Sequence, residues 1–422
     1  MEVIKVAIVG LGGRGHDVYG QYIAEHQDKI QVVAIADIRR DRLEICKREW
    51  NLSEEMCFNS AEELFEQANL AQAVLICTPD KLHVAHAKSA LEKDYHILLE
   101  KPISDSIVEC QELLALAKKS HKHIVVCHIL RYTPFYQTIK RMLDEQTIGE
   151  IVSVQAIENV AYWHQAHSYV RGNWRRKDES SPMILAKCSH DIDILLWLAD
   201  KKCKRVSSYG DLYLFKKEKA PAGCGKRCTE CSIRKDCPYD AVDFYLENPK
   251  TGVLGGHTAW PINILAPNPT EQTIQEALKN GPYGRCVYHC DNDVVDHQIL
   301  NMQLEENTTI SFTMCAFTDK CYRHIKIMGT QGYIEGDMDT NIITYAKFGE
   351  KRQSIDIACE GLNLAGHGGG DFVMMDKFVN LLSGDEEAQI VTEIEKSIDS
   401  HIVALLAEES RLLNGESICV EY

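Results

Sequence analysis

The chain lacks an excess of positive charge: 46 Lys and Arg stand against 62 Asp and Glu, for a formal net charge of -16. A surface of that sign repels phosphate backbones and anionic headgroups, which argues against nucleic-acid binding and membrane docking. It also lacks any apolar run near the ~18–20 residues that cross a bilayer. The opening MEVIKVAIVGLGG has no basic stretch ahead of an apolar one, so no secretory leader is expected. A disulfide framework is missing too. The 17 cysteines are odd in number and scattered through apolar stretches (Cys46, Cys77, Cys127, Cys188, Cys315). That usage fits a reducing compartment, and the cytoplasm is the expected location. What remains is 45% hydrophobic and 26% charged over 422 residues, the composition of an ordinary globular protein of two or three domains.

What is present comes first as alternation. Over residues 1–128, apolar strand patterns (IKVAIVG, QVVAIAD, AVLICTPD, HILLEKP, HIVVCH) alternate with helical ones. Unbroken apolar strands separated by helices predict a parallel sheet covered on both faces. Ser106 with Glu109 three residues later predicts a capping box at the start of one of these helices. The turn Gly10-x-Gly12-Gly13-Arg14-Gly15 joins the first strand to its helix. Glycines there let a backbone approach a pyrophosphate, and the helix N-terminus supplies N–H donors. Asp37 ends the second strand, where a carboxylate accepts from ribose hydroxyls and repels a 2′-phosphate. NAD is therefore favoured over NADP, although Arg39 and Arg40 could also receive a phosphate or simply stand exposed.

The stretch HILLEKPIS sets Glu100 and Lys101 at the end of the fourth strand, followed by Pro102. Ligands of an open parallel sheet sit beyond the carboxyl ends of its strands. A lysine in that cleft loses hydration, and its lowered pKa suits proton transfer. The alternative is a Glu–Lys pair that only caps the strand.

From residue 129 the pattern turns to half-buried alternating strands, such as EIVSVQAIENV, DHQILNMQLEE and TTISFTMCAFT, predicting a large, mostly antiparallel sheet. A helix over about 393–413 is expected to open on a Thr392–Glu395 capping box, and Asp371 can cap the helix before it. ENVAYWHQAHSYVRGNWRRKDESSP offers aromatic faces and polar rims of the kind that hold a sugar. Its candidates are Tyr162, Trp163, His164, His167, Tyr169, Arg171 and Trp174; an aromatic-packed loop or subunit contact is the plainer reading. Asp191, Asp291, Asp293, Asp296, His297 and His367 are further candidates. His297 and the aspartates also offer the donor types of a divalent metal site. Cys224-x3-Cys228-x2-Cys231-x5-Cys237 places four cysteines within 14 residues and reads as a tetrathiolate zinc site in an insertion about 220–240. An iron–sulfur cluster is the rival, and free or disulfide-bonded cysteines the bland reading.

Together the glycine turn, Asp37, CTPDKLHVAHAKSAL and LLEKP resemble the Gfo/Idh/MocA oxidoreductases. The resemblance implies an N-terminal Rossmann domain (1–128) and a C-terminal α+β domain (129–422) for substrate and oligomer contacts. It implies that Lys101 contacts substrate and nicotinamide ribose, that Thr78, Pro79, His83 and Arg131 lie near the cofactor, and that His190 is a proton-transfer histidine with Asp193 three residues on. Many members carry an aspartate four residues before that histidine; here the position is Ala186, and Lys187 next to it is expected to take over part of the catalytic polar work. The expected protein is an NAD-dependent enzyme oxidising a hydroxyl of a sugar, inositol or glycoside, as a homodimer or homotetramer. Alternatives are an NAD-dependent glycoside hydrolase using transient oxidation, and a regulatory protein that binds NAD and a sugar.

Overall fold

The computed structural model describes residues 3–358, 368–385 and 390–422. Six strands, β1 (Ile4–Val9), β2 (Ile30–Ala36), β3 (Cys57–Phe58), β4 (Ala73–Ile76), β5 (His96–Leu99) and β6 (Ile124–Val126), form one sheet in the order β3-β2-β1-β4-β5-β6. All five pairings are parallel. The order reverses between β1 and β4, which opens a ligand crevice at the carboxyl ends of the strands. The two-residue β3 was not expected; it is too short to display a period.

The second sheet holds β7 (Ile151–Asn159), β8 (Cys203–Asp211), β9 (His297–Leu304), β10 (Thr309–Cys315), β11 (Tyr322–Gly329), β12 (Gly332–Asp337), β13 (Ile342–Lys347), β14 (Gln353–Asp356) and β15 (Ile418–Cys419). Its order is β14-β13-β12-β11-β7-β10-β9-β8-β15, antiparallel throughout except for β10 beside β7. Along β9 the buried residues Leu300, Met302 and Leu304 alternate with exposed ones, as a sheet with one covered face requires. Phe135, Ile192, Leu195 and Val403, from three helices, cover that face.

The chain then returns to the first sheet. Ile394, Ile398 and Ile402 share one stripe of the helix Ile394–Leu412 and pack against Ile97, Leu99 and Val126. Val403, Ala404 and Ala407 of the same helix join the second core. Met374, Met375 and Phe378 of the helix Gly370–Leu382 pack on the opposite face of the first sheet, against Val6, Tyr19 and Tyr22.

Three local expectations need correction. Ser106 does cap its helix, accepting from Glu109 N at 3.4 Å, but the Glu109 carboxylate turns to Ser104 Oγ. Thr392 does not cap: Glu393 holds that position, Thr392 Oγ1 meets Tyr132 Oη at 2.8 Å, and Glu395 pairs with Lys118. Asp371 lies inside the first turn of its helix, behind Gly369 at φ 84°, because its carboxylate accepts from Arg14. The segment 212–296 between β8 and β9 also exceeds the short coreless loop expected. It buries its own cluster of Val242, Tyr245, Leu246, Ile274 and Leu278.

Candidate active site

The glycine turn is built for close approach. Gly10 sits at φ +92°, and a Cβ there would stand 2.5 Å from the Cys77 carbonyl oxygen at the end of β4. A Cβ on Gly15 would stand 2.1 Å from the Gly10 carbonyl, so the first helix can lie this near its strand only without a side chain. Gly12 and Gly13 keep open space above the turn, with Arg42 Nη1 and Asp17 Oδ2 as their nearest neighbours. Asp37 accepts from Leu11 N and Arg39 N, both at 2.7 Å, which fixes its carboxylate beside that space. The Arg39 guanidinium is held by Asp41. Arg42, unnoticed in the sequence, stands 3.9 Å from Asp37 instead. The cradle therefore fits a dinucleotide, with Gly10, Gly12, Gly13, Gly15 and Asp37 as its residues.

At the mouth of β5, Glu100 and Lys101 have different fates. Glu100 is buried and accepts from Arg14 Nε at 2.6 Å and Tyr19 Oη at 2.5 Å. Burial alone drives its carboxyl up; Arg14 and Tyr19 outweigh burial and hold it below the usual carboxylate range. Arg14 also donates to Asp371 at 2.7 Å, so it joins the glycine turn, the β5 mouth and the C-terminal segment. Arg14 was expected to face the cofactor; its guanidinium is engaged within the protein. Lys101 Nζ donates to the Ala186 carbonyl at 2.6 Å. Burial lowers its pKa, against the pull of Asp80 and Glu100. Pro102 follows through a cis peptide. The His83 ring bridges the Pro102 carbonyl at 2.6 Å and the Thr78 carbonyl at 2.7 Å. It thereby fixes the Thr78–Pro79 loop to the Glu-Lys-Pro segment.

The second domain supplies the opposite wall. Lys187 Nζ lies 3.1 Å from buried Glu158. Arg323 lies 3.0 Å from the other oxygen of Glu158 and 2.7 Å from Asp191. Burial raises Asp191 to about 6 despite Arg323. His190, on the helix Ser189–Ala199, meets the His128 ring edge to face at 5.9 Å. His128 is fully buried; burial, then Arg131, pushes its pKa far down, so the ring is neutral. Arg131 grips Asp193 through two bonds of 2.7 and 2.6 Å and donates to the carbonyls of Val391 and Lys396. Expected near the cofactor, Arg131 instead ties the β6 loop to the histidine helix.

The aromatic segment divides. Tyr162 and Trp163 line a cleft of about 670 Å³ with Phe244, His257 and Trp260 of the inserted segment. His164 packs edge-on against Trp260 at 5.3 Å, and Tyr169 lies between His164 and Trp174. Trp174 Nε1 donates to Asp80 at 3.3 Å, and Ser181 Oγ donates to the other Asp80 oxygen. A line of rings thus runs from the strand mouths to the cleft. His167 and Arg171 do not line the cleft, although His167 meets the Trp260 ring edge-on at 5.7 Å from behind. His167 stacks on Tyr283 and bonds Tyr245 Oη, and Arg171 donates to the carbonyls of Arg285 and Tyr239.

The acidic cluster is structural. Asp291 pairs with Arg175 and Arg285, Asp293 accepts from Lys177 N, and Asp296 accepts from Tyr213 N and Leu214 N besides meeting His297. No metal-ligating group forms at His297 among the described residues. His367 lies outside them. Cys224, Cys228, Cys231 and Cys237 line one small cavity, but Cys286 joins them, and Cys224 gathers with Cys286 and His289. Cys286 and His289 fall far outside the 14-residue cluster and were missed.

Comparison with known proteins agrees with this geometry. A model of the Gfo/Idh/MocA oxidoreductase family's NAD-binding Rossmann fold matches residues 4–128, and that of its C-terminal α/β domain matches 140–410. The YteT protein of Bacillus subtilis, which carries an oxidoreductase name, is 21% identical over 88% of this chain and 87% of its own. Glycosyl hydrolase family 109 protein 2 of Phocaeicola vulgatus is 28% identical over 40% of this chain, spanning 41% of that protein. The Chromobacterium violaceum WlbA dehydrogenase, solved with NADH and UDP-GlcNAcA, has the same fold at TM-score 0.69 and 16% identity, covering 100% of this chain and 97% of that one.

Proposed function

The chain belongs to the Gfo/Idh/MocA oxidoreductase family, and on that premise we propose that it oxidises a hydroxyl of a sugar, inositol or glycoside, with Lys101 taking the hydroxyl proton. The observation that carries the reading is the Lys101 ammonium, held by the Ala186 carbonyl of the other domain and lowered by burial. NAD supplies the hydride acceptor when bound. A lysine whose pKa is drawn down can lose its proton and accept another from an alcohol. The Ala186 carbonyl fixes the Nζ, and Asp80 attracts its charged form. Lys187 is tied to Glu158 on the opposite wall. His190, on the same wall, is the second proton-transfer group. The ring-lined cleft takes the rest of the substrate, whose apolar faces pack on Trp163 and Trp260.

A second reading, glycoside cleavage with no net redox change, draws on the likeness to the family 109 glycosyl hydrolase. Asp191, raised to about 6, could hold a proton near neutral pH for an elimination step. One panel separates the two: free sugars, inositols and chromogenic glycosides with purified protein and NAD, reading NADH absorbance and aglycone release together. NADH without aglycone supports the dehydrogenase. Aglycone release without NADH accumulation replaces it with the redox-assisted glycosidase, and neither signal would remove both. The solvent side of the second sheet presents Tyr209 opposite Ile299, both exposed, which supports a homodimer or homotetramer on that face.

A further inference from the structure

The inserted segment and the aromatic segment meet at the cysteines. Ligand atoms of Cys224, Cys286 and His289 all lie within 4.8 Å of one another, with Cys224 Sγ 3.5 Å from His289 Nε2. A tetrahedral zinc with Zn–S of about 2.3 Å and Zn–N of about 2.0 Å sets its ligands about 3.5–3.8 Å apart. Cys224 and Cys286 line a cavity of about 20 Å³, with room for one small ion and little else, and His289 Nε2 reaches the same cluster from beside it. Cys228 lines the same cavity, and its sulfur also faces Arg171 Nη2 at 3.6 Å.

Arg171 gives an independent reason for negative charge at this place. Its side chain is buried, it donates to two carbonyls, and no carboxylate among the described residues forms an ion pair with it. A buried guanidinium needs a counter-charge. Three thiolates, one neutral imidazole and one Zn²⁺ sum to -1, which Arg171 balances.

We propose that Cys224, Cys228, Cys286 and His289 hold a structural zinc ion, with Arg171 as its neutralising neighbour. The ligand set differs from the four-cysteine one that spacing suggests, because Cys286 and His289 come from the far end of the insertion. The ion ties residues 224–228 to 286–289 and, through Arg171, to the helical stretch that carries Trp163 and His164. Cys231 accepts from Gly225 N at 3.3 Å and shapes the turn around Cys224.

The test is metal content and zinc X-ray absorption on the full chain, purified without chelator. It does not depend on the reaction assigned above. The expected result is about one zinc per chain with three sulfurs near 2.3 Å and one nitrogen near 2.0 Å. Cys286→Ser and His289→Ala should each lower zinc content at least about tenfold in dilute chelator, while exposed Cys419→Ser keeps it. NAD titration checks that the first sheet still folds in the variants. Full zinc in both variants, a four-sulfur shell, iron with acid-labile sulfide, or no metal in the unaltered chain would each overturn the assignment.

Discussion

Replacing Arg14 by Met tests whether the charges at the β5 mouth hold the two domains together. The guanidinium is about a quarter exposed, but its partners are not: Glu100 and Asp371 side chains are 8% and 5% accessible. Removing one member of a buried ion pair typically costs ~3–5 kcal/mol, since the remaining charge stays buried unpaired. The buried Glu100 carboxylate loses its guanidinium here, while water reaches the Arg14 site, so about 3 kcal/mol is expected at pH 7. The sign of the pH effect follows from Glu100. Its folded pKa is lowered, so the stability it contributes is present above the unfolded value and is lost as pH falls. Without Arg14, burial alone drives the carboxyl up. The difference between the two proteins should therefore be largest near neutrality and shrink toward pH 4. Urea unfolding of both proteins at pH 7.5, 6, 5 and 4 measures it, and Arg14→Met with Glu100→Gln should recover part of the loss. A cost below about 1 kcal/mol at pH 7.5, or one unchanged by acid, would refute the reasoning.

Lys101→Ala is expected to lower turnover by about 10²–10⁴-fold while NAD affinity stays within about tenfold; near-normal turnover would take Lys101 out of the chemistry. Ala186→Asp adds a carboxylate to the segment whose backbone carbonyl holds Lys101. The ammonium form is then favoured, and the rise of kcat/KM with pH should move up by about one unit. An unmoved profile would mean that Lys101 is not the titrating base. Light scattering of the purified chain should give the mass of two or four copies, and Ile299→Asp, opposite Tyr209, should lower it; a monomer at micromolar concentration would remove the oligomer reading.

The dinucleotide cradle was legible because it rests on local rules: a glycine that only fits at φ +92°, a strand end, a carboxylate a fixed distance on. The long strands were legible through period two. What escaped was pairing between distant segments. Glu158 is simply the end of a strand until Arg323 and Lys187 close on it. Arg131 matched a cofactor position, yet its donors face Asp193 in three dimensions. Likewise the C-x3-C-x2-C spacing identified where thiols gather, while Cys286 and His289 entered only when the insertion folded back. The missed capping at Thr392 has the same origin, because tertiary contact with Tyr132 took its hydroxyl.

These distant pairs share a layout. Four residues at the carboxyl edge of the first sheet are each held by something from beyond residue 170. Arg14 meets Asp371, Asp80 meets Trp174 and Ser181, Lys101 meets the Ala186 carbonyl, and Arg131 meets Asp193. The contacts that shape the cradle, by contrast, join Gly10, Leu11, Asp37 and Cys77 within the first domain. The Lys101 Nζ donates across to the Ala186 carbonyl of the other domain. On the roles proposed above, cofactor binding and proton transfer draw on different parts of the chain. A substitution in the second domain that shifts the Ala186 segment should change turnover and its pH profile while leaving NAD affinity alone, because the Ala186 carbonyl meets Lys101 whereas the contacts of the cradle lie within the first domain.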